Sequence, residues 1–303
     1  MSTIITADFI PDLRTILAWH LKGVGYVVGD DLDSFDVAHL YYNARSREIS
    51  RRPRRVHYSR ELVEQMRDAH EIPVNRIAAA AEKGEDLHPY LSTRSTDPSY
   101  SDMLFNEWRV HHFHLGEPGK GPKGFVGRTG DLLFALVMPD NIYFISLSDH
   151  DAFADDVLLE VMHRNWYDVL TPYRCTGVRA IEGSRRTPAE LKKLRAVGLT
   201  TLSSTEDRTV YVFDAVALSA VVKSHDRKKK GCLSLRVARL SDDIHRDAHR
   251  VEVECRKSAE LLRQAIFRFT GQDLAELHLK LVWNDDRIMV AEMQTRFAFD
   301  SPA

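Results

Sequence analysis

Residues 131–147 read DLLFALVMPDNIYFISL, two apolar runs of strand length on either side of a Pro-Asp-Asn turn. The first run is nearly all apolar, so it has no face to give to water and belongs at the centre of a sheet. The turn is too short for anything but a hairpin, so the two strands are antiparallel. Whatever else the chain forms must be arranged to cover this pair.

The flanking sequence supplies helices. Ser59 is a helix cap, followed by Glu61, Leu62 and Met66 on the way to His70. Pro73 interrupts, and Val74 to Lys83 forms a second helix closed by Gly84. Leu87 to Tyr100 is rich in Ser, Thr, Pro and Asp and is expected to be a loop, and Trp108 to Leu115 alternates as a further strand. After the hairpin, Ser148 to Asp151 cap a helix expected to run to about Leu170, where Pro172 stops it. Beyond it, Thr187-Pro-Ala-Glu190 is a capping box. Arg208 to Phe213 and Cys232 to Val237 have strand character, and His249 to Cys255 fits strand or helix. Ser258 to Thr270 is an amphipathic helix ended by Gly271, and Leu277 to Trp283 with Arg287 to Met293 form a hairpin. The expected fold is α+β, helices followed by an antiparallel sheet, with a second α+β unit at the C-terminus. The expected segments are a mixed N-terminal region (1–58), helices plus sheet (59–172) and the C-terminal unit (173–303).

Charge matters through its distribution rather than its sum. The 303 residues carry a formal net charge of −2, which alone does not argue for nucleic acid. Yet Arg45, Arg47, Arg51, Arg52, Arg54 and Arg55 crowd one segment against only Glu48. The loop GEPGKGPKGFVGRTG carries Lys120, Lys123 and Arg128, and a lysine-rich run spans Lys223 to Lys230. Guanidinium and ammonium clusters of this kind match phosphates, whereas their bland alternative is a solvated loop. The three cysteines, Cys175, Cys232 and Cys255, show no CxxC spacing, which indicates neither a disulfide framework nor a cysteine zinc site. No run of about 18 apolar residues appears, and the N-terminus lacks a basic stretch followed by an apolar one. A reduced, cytoplasmic protein without a membrane partner is expected.

The stretch WRVHHFHLG places His111, His112 and His114 within four positions. On a strand, Trp108, Val110, His112 and His114 share one face, so the two histidines can meet one substrate. His150 follows the hairpin and His163 lies on the next helix, and both are candidates to assist. Three chemistries fit. The histidines can be structural. They can act as an acid–base pair, since imidazole titrates near neutrality, with Lys120, Lys123, Arg128, Arg51, Arg52, Arg54 and Arg55 as phosphate contacts; such a set cleaves RNA with no metal. Or His112, His114 and His150 can hold a divalent metal for phosphate-ester hydrolysis. An HExxH motif is absent, GEPGKGPKG lacks the Ser or Thr of a phosphate-binding NTPase loop, and no G-x-S-x-G occurs.

The block NEWRVHHFHLG, with LLFALV, IYFISLSDH and LLEVMHRNW after it, resembles bacterial proteins of mobile-element type. Helices followed by an antiparallel sheet also resemble the layout of RelE-like ribonuclease toxins. The histidines and the basic residues together lead to the expectation of a metal-independent endoribonuclease of toxin or phage-defence type, with RNA as substrate and a protein partner or antitoxin. A metal-dependent phosphohydrolase, or a non-catalytic nucleic-acid- or partner-binding protein, remains the alternative.

Overall fold

The computed structural model describes residues 3–149, 156–183, 186–196, 202–213, 216–223, 230–284 and 287–300. The chain begins with β1 (Ile4–Thr6), α1 (Phe9–Gly23), α2 (Ser34–Ser46), β2 (Arg55–Tyr58), α3 (Arg60–Gln65) and α4 (Asp68–Lys83). It continues with α5 (Met103–Trp108), β3 (Val110–His114), β4 (Leu132–Val137), β5 (Asn141–Ser148), α6 (Val157–Asn165), β6 (Arg174–Arg179) and α7 (Pro188–Ala196). Then come β7 (Ser203–Ser204), β8 (Thr209–Tyr211), β9 (Val216–Lys223), β10 (Lys230–Ser234), α8 (Leu235–Lys257) and α9 (Ala259–Thr270). The last elements are β11 (Glu276–Asn284), β12 (Arg287–Glu292) and β13 (Phe297–Phe299). The fold is α+β, as expected.

The chain divides into two compact units, neither contiguous in sequence. One comprises 1–42, 222–230 and 237–303; the other comprises 43–221 and 231–236. This division differs from the three consecutive segments read from the sequence. A long-range pairing is responsible: β1 adds to β11 in parallel, Ile4 opposite Glu276, so the N-terminus belongs with the C-terminal hairpin.

In the second unit the expected hairpin is the centre of a four-stranded sheet of order β2-β5-β4-β3. Met138 N–H donates to the Asn141 carbonyl across the turn. β2 joins β5 in parallel, so the sheet is mixed rather than purely antiparallel. The cause lies in the segment after Pro53, which supplies Val56 and Tyr58 to the core and closes the edge that the hairpin leaves open. One face of the sheet carries Phe113, Leu133, Ala135, Ile142 and Phe144 against Val74, Ile77, Ala78 and Ala81 of α4. The opposite face carries Val110, Leu132, Phe134, Leu136, Tyr143 and Ile145 against Leu158, Leu159, Val161 and Met162 of α6. Both faces are thus buried, as the unalternating sequence of β4 requires. Burying each of Phe113, Phe134 and Phe144, all fully enclosed, contributes about 2 kcal/mol relative to exposure.

Several local readings are corrected. Ser59 caps α3 as expected, its Oγ accepting from Leu62 N–H. α4 however starts at Asp68 and runs through Pro73. Proline there forfeits one bond to the carbonyl four residues back, offset by the apolar stripe that follows. Gly84 ends α4 at φ 73°, and a Cβ on it would lie 2.6 Å from the Arg52 carbonyl carbon. Residues 87–100 include two 3-10 turns, His88–Tyr90 and Thr93–Thr96, rather than an irregular loop alone. Trp108 belongs to α5, not to the strand: Asp102 caps that helix by accepting from Phe105 N–H, and Arg109 stops it at φ 60°. α6 ends at Asn165 instead of about Leu170, its last cap bond running from Trp166 N–H to the Met162 carbonyl. The capping box at Thr187 and Glu190 forms in both directions.

In the first unit the sheet order is β1-β11-β12-β13. α1 packs on β11, burying Phe9, Leu13 and Leu17. Asp12 accepts from Leu281 N–H, and Arg256 of α8 donates to the Ile5 and Ala7 carbonyls, which pins β1. His249 to Cys255 is helical, within α8, and only the first part of Cys232–Val237 is strand, because α8 begins at Leu235. No helix among the described residues is long and apolar enough to cross a membrane.

Candidate functional site

Among the described residues β3 is an edge strand paired with β4, with His112 opposite Phe134 and His114 opposite Leu132. That register puts both histidines on the face covered by α6, and His111 on the other face beside Phe113. The shared face expected for His112 and His114 is therefore present, without Trp108 as its first strand member. The two rings lie 6.2 Å apart, edge to face. Both are deeply buried, at 5% and 3% exposure.

A partner that the sequence did not single out joins them. The Asp102 carboxylate lies 3.3 Å from His112 Nδ1, and both side chains are withdrawn from water. The aspartate does two jobs at once: one oxygen caps α5 and the other faces the imidazole. Burial pushes the Asp102 carboxyl up. The His112 ring, the Phe105 N–H and His111 outweigh it and hold the carboxyl below its ordinary value. His111, against Phe105 at 4.6 Å, is driven down to about 3 by burial, so it stays neutral. Asp102 was legible in the sequence only as a helix cap ahead of Met103 and Leu104.

His163 is positioned by α6 but engages other groups. Its Nδ1 is 2.8 Å from the Tyr211 hydroxyl and its Nε2 is 3.4 Å from Asp207. Asp207 is raised by burial, yet bonds from Thr205 and Thr209 together with His163 bring it down to about 2. Among the described residues His163 contacts Tyr211, Asp207 and Tyr167. His150, the fourth candidate, lies outside the described residues. In the metal alternative the third member of the set is again His150, outside the described residues. Among the described residues no three His, Cys, Asp or Glu side chains are gathered to share an ion.

The basic residues separate into two kinds. Lys120, Lys123 and Arg128 are exposed on the loop that leaves β3 directly. That loop is anchored by buried Phe125 and Val126 and by Val126 N–H donating to the Pro89 carbonyl. Two of its glycines are backbone requirements: a Cβ at Gly116 would meet the Gly127 carbonyl oxygen at 1.9 Å, and one at Gly121 the Val126 carbonyl oxygen at 2.3 Å. The arginine segment is largely consumed by structure. Arg54 is buried and donates to the Met138, Ser50 and Arg52 carbonyls and to Ser50 Oγ. Arg47 donates to the carbonyls of Asn43, Tyr100 and Asp97. Arg54 is therefore corrected from a phosphate contact to a pin between residue 50 and the hairpin turn. Arg51 and Arg52 are exposed but ion-paired with Asp86 and Asp140, and Arg55 is exposed on β2. Of the lysine run, residues 224–229 lie outside the described residues.

The first unit holds a polar pair that the sequence did not indicate. His245 Nδ1 donates to the Ser241 carbonyl at 2.7 Å and its Nε2 is hydrogen-bonded with Ser34 Oγ at 2.8 Å, with Phe35 stacked on the ring at 3.7 Å. Both side chains are buried, and the pair ties α2 to α8.

No protein-family model matches the chain, and neither does any curated protein or solved structure.

Proposed function

We propose that the protein is a cytoplasmic, metal-independent endoribonuclease of toxin or phage-defence type, working through His112 and His114. The carrying observation is the buried Asp102–His112 pair, with the His114 ring beside it, at the root of a loop bearing three exposed cations. An imidazole oriented by a carboxylate is the arrangement that general-base chemistry needs. On this reading His112 Nε2 takes the proton from a ribose 2′-hydroxyl as that oxygen attacks the adjacent phosphorus. His114, protonated, gives its proton to the departing 5′-oxygen. Lys120, Lys123 and Arg128 hold flanking phosphates and offset the added charge.

The depth of the histidines favours a second reading. At 5% and 3% exposure the rings also suit a polar core tie, in which case the loop binds nucleic acid and nothing is cut. One assay separates the readings. Single-stranded RNA and DNA of the same sequence are incubated with the protein in excess chelator, and product ends are analysed. RNA cleavage leaving 2′,3′-cyclic phosphates, lost in H112N and H114N, with DNA intact, is the expected result. Cleavage of DNA that chelator abolishes means that a metal supplies the nucleophile instead. Binding without cleavage means the core-tie reading. In either binding case, Lys120→Gln, Lys123→Gln and Arg128→Gln together should flatten the dependence of log affinity on log salt by about 2, since each phosphate contact on a single strand contributes about 0.7.

A further inference from the structure

The first unit holds a cavity of about 200 Å³ between α1, α8 and the β11–β12 hairpin. Its wall is apolar: Leu13 of α1, Ala248 and Val251 of α8, Leu281 of β11 and Met289 of β12 all line it and all are buried. Of the ten lining residues only two carry charge, Asp247 and Arg250. Both belong to α8, three positions apart and so neighbours on one side of the helix. Their side chains are 63% and 54% exposed, respectively, which sets them at the mouth while the apolar residues form the floor.

Size and chemistry select the occupant. An apolar cavity of roughly 150 Å³ accepts a benzene ring, so this one accepts a phenyl ring with a carbon beyond it. Met289 offers a thioether, which packs favourably against an aromatic edge. At the mouth the carboxylate and the guanidinium face each other at 3.4 Å, an exposed pair that contributes little to the fold. Tyr42, which also feels Asp247, is pushed up to about 12 by burial and adds no charge. The lining carries no net charge, so neither a simple cation nor a simple anion is favoured. Opposite charges side by side match a ligand with an ammonium and a carboxylate on one carbon. A phenylalanine inside a polypeptide, from a second copy or another protein, would bring only neutral amides to the same two groups.

We propose that this cavity binds a free aromatic α-amino acid of the phenylalanine class, with the ring against Leu13, Val251, Leu281 and Met289, the ammonium at Asp247 and the carboxylate at Arg250. All ten lining residues belong to the first unit, whereas His112 and His114 belong to the second. The site therefore stands or falls apart from the ribonuclease reading.

The test is an NMR titration of the full chain with L-phenylalanine and with three probes that each lack one part of it. 3-Phenylpropionate lacks the ammonium, 2-phenylethylamine the carboxylate and L-alanine the ring. L-Phenylalanine is expected to bind once per chain, the first two probes about fivefold more weakly, the scale of one exposed ion pair, and L-alanine not measurably. Asp247→Asn is expected to weaken L-phenylalanine about fivefold without weakening 3-phenylpropionate. Arg250→Gln is expected to weaken L-phenylalanine equally without weakening 2-phenylethylamine. Both replaced side chains are exposed, so the fold stays intact, which a thermal melt confirms. Ala248→Leu puts side-chain atoms into the cavity and is expected to abolish binding; if that variant fails to fold, the two mouth variants carry the test alone. No binding of L-phenylalanine, equal affinity for all three aromatic ligands, or mouth variants that bind as the unaltered protein does would each overturn the proposal. A dimer in sedimentation that Ala248→Leu converts to monomer would overturn it too, since a second copy would then occupy the cavity.

Discussion

The carboxylate of Asp102 stands 3.3 Å from His112 Nδ1 while its other oxygen caps the helix that precedes the strand. Cap and orienting group are one side chain, and substitution separates them. Asp102→Asn keeps an acceptor for the Phe105 N–H but removes the charge facing the imidazole. It is expected to lower RNA cleavage by a factor of about 10³ or more, as loss of a histidine-orienting carboxylate does. Asp102→Ala should lose the same activity and an additional ~1 kcal/mol of stability with the cap. Paired cleavage assays and urea titrations measure both. Equal stability of the two variants would show that the cap contributes nothing.

His111 makes stability depend on pH. Its folded-state value, about 3, lies below its ordinary one, so between roughly pH 6 and pH 3 the unfolded chain binds a proton that the native state refuses. Stability from this group is full above the unfolded value and falls as the medium is acidified, by at most about 1.4 kcal/mol per pH unit. Urea midpoints measured between pH 7 and pH 4 should decline for the unaltered protein and decline less for His111→Phe. Asp102 acts in the same direction but further into acid, since its depressed carboxyl loses its contribution only as pH falls through that lower value. Parallel profiles for the two proteins would refute the assignment to His111.

Gly84 combines a left-handed backbone with a close approach. Alanine there must adopt φ 73° and place its Cβ 2.6 Å from the Arg52 carbonyl carbon and the Pro53 nitrogen. The backbone strain alone costs about 1–2 kcal/mol, and relieving the contact moves the segment that Arg54 pins to the hairpin turn. Gly84→Ala should lower stability by more than 2 kcal/mol in a denaturant titration, well beyond the usual surface substitution.

Much of this architecture was visible in local pattern. The apolar hairpin, the Ser59 cap, the Thr187 capping box, and the ends of α4 at Gly84 and of α9 at Gly271 all depend on residues within a few positions of one another. The shared face of His112 and His114 follows from strand alternation alone. What escaped depends on distant partners. Trp108 alternates with the strand after it, yet the Asp102 cap and its Nε1–H bond to Ser203 hold it in a helix. Arg54 and Arg47 look like solvent-facing cations until the carbonyls they bind are brought to them by folding. Asp102 and His112 are ten positions apart, and Ser34 and His245 meet across most of the chain; no spacing rule connects either pair.

The parallel pairing of β1 with β11 has a consequence for how the molecule is made. Synthesis proceeds from the N-terminus, so Ile4 emerges from the ribosome long before its partner Glu276 exists. The stretch from Asn43 to Val221 can close its own core meanwhile, since most of that unit is continuous. The first 42 residues cannot, and the apolar side of α1, Phe9, Leu13 and Leu17, must wait in solvent or under a chaperone until the final hairpin is released. Chains terminated before residue 276 are left with that helix uncovered, which marks them for proteolysis, whereas a finished chain hides it.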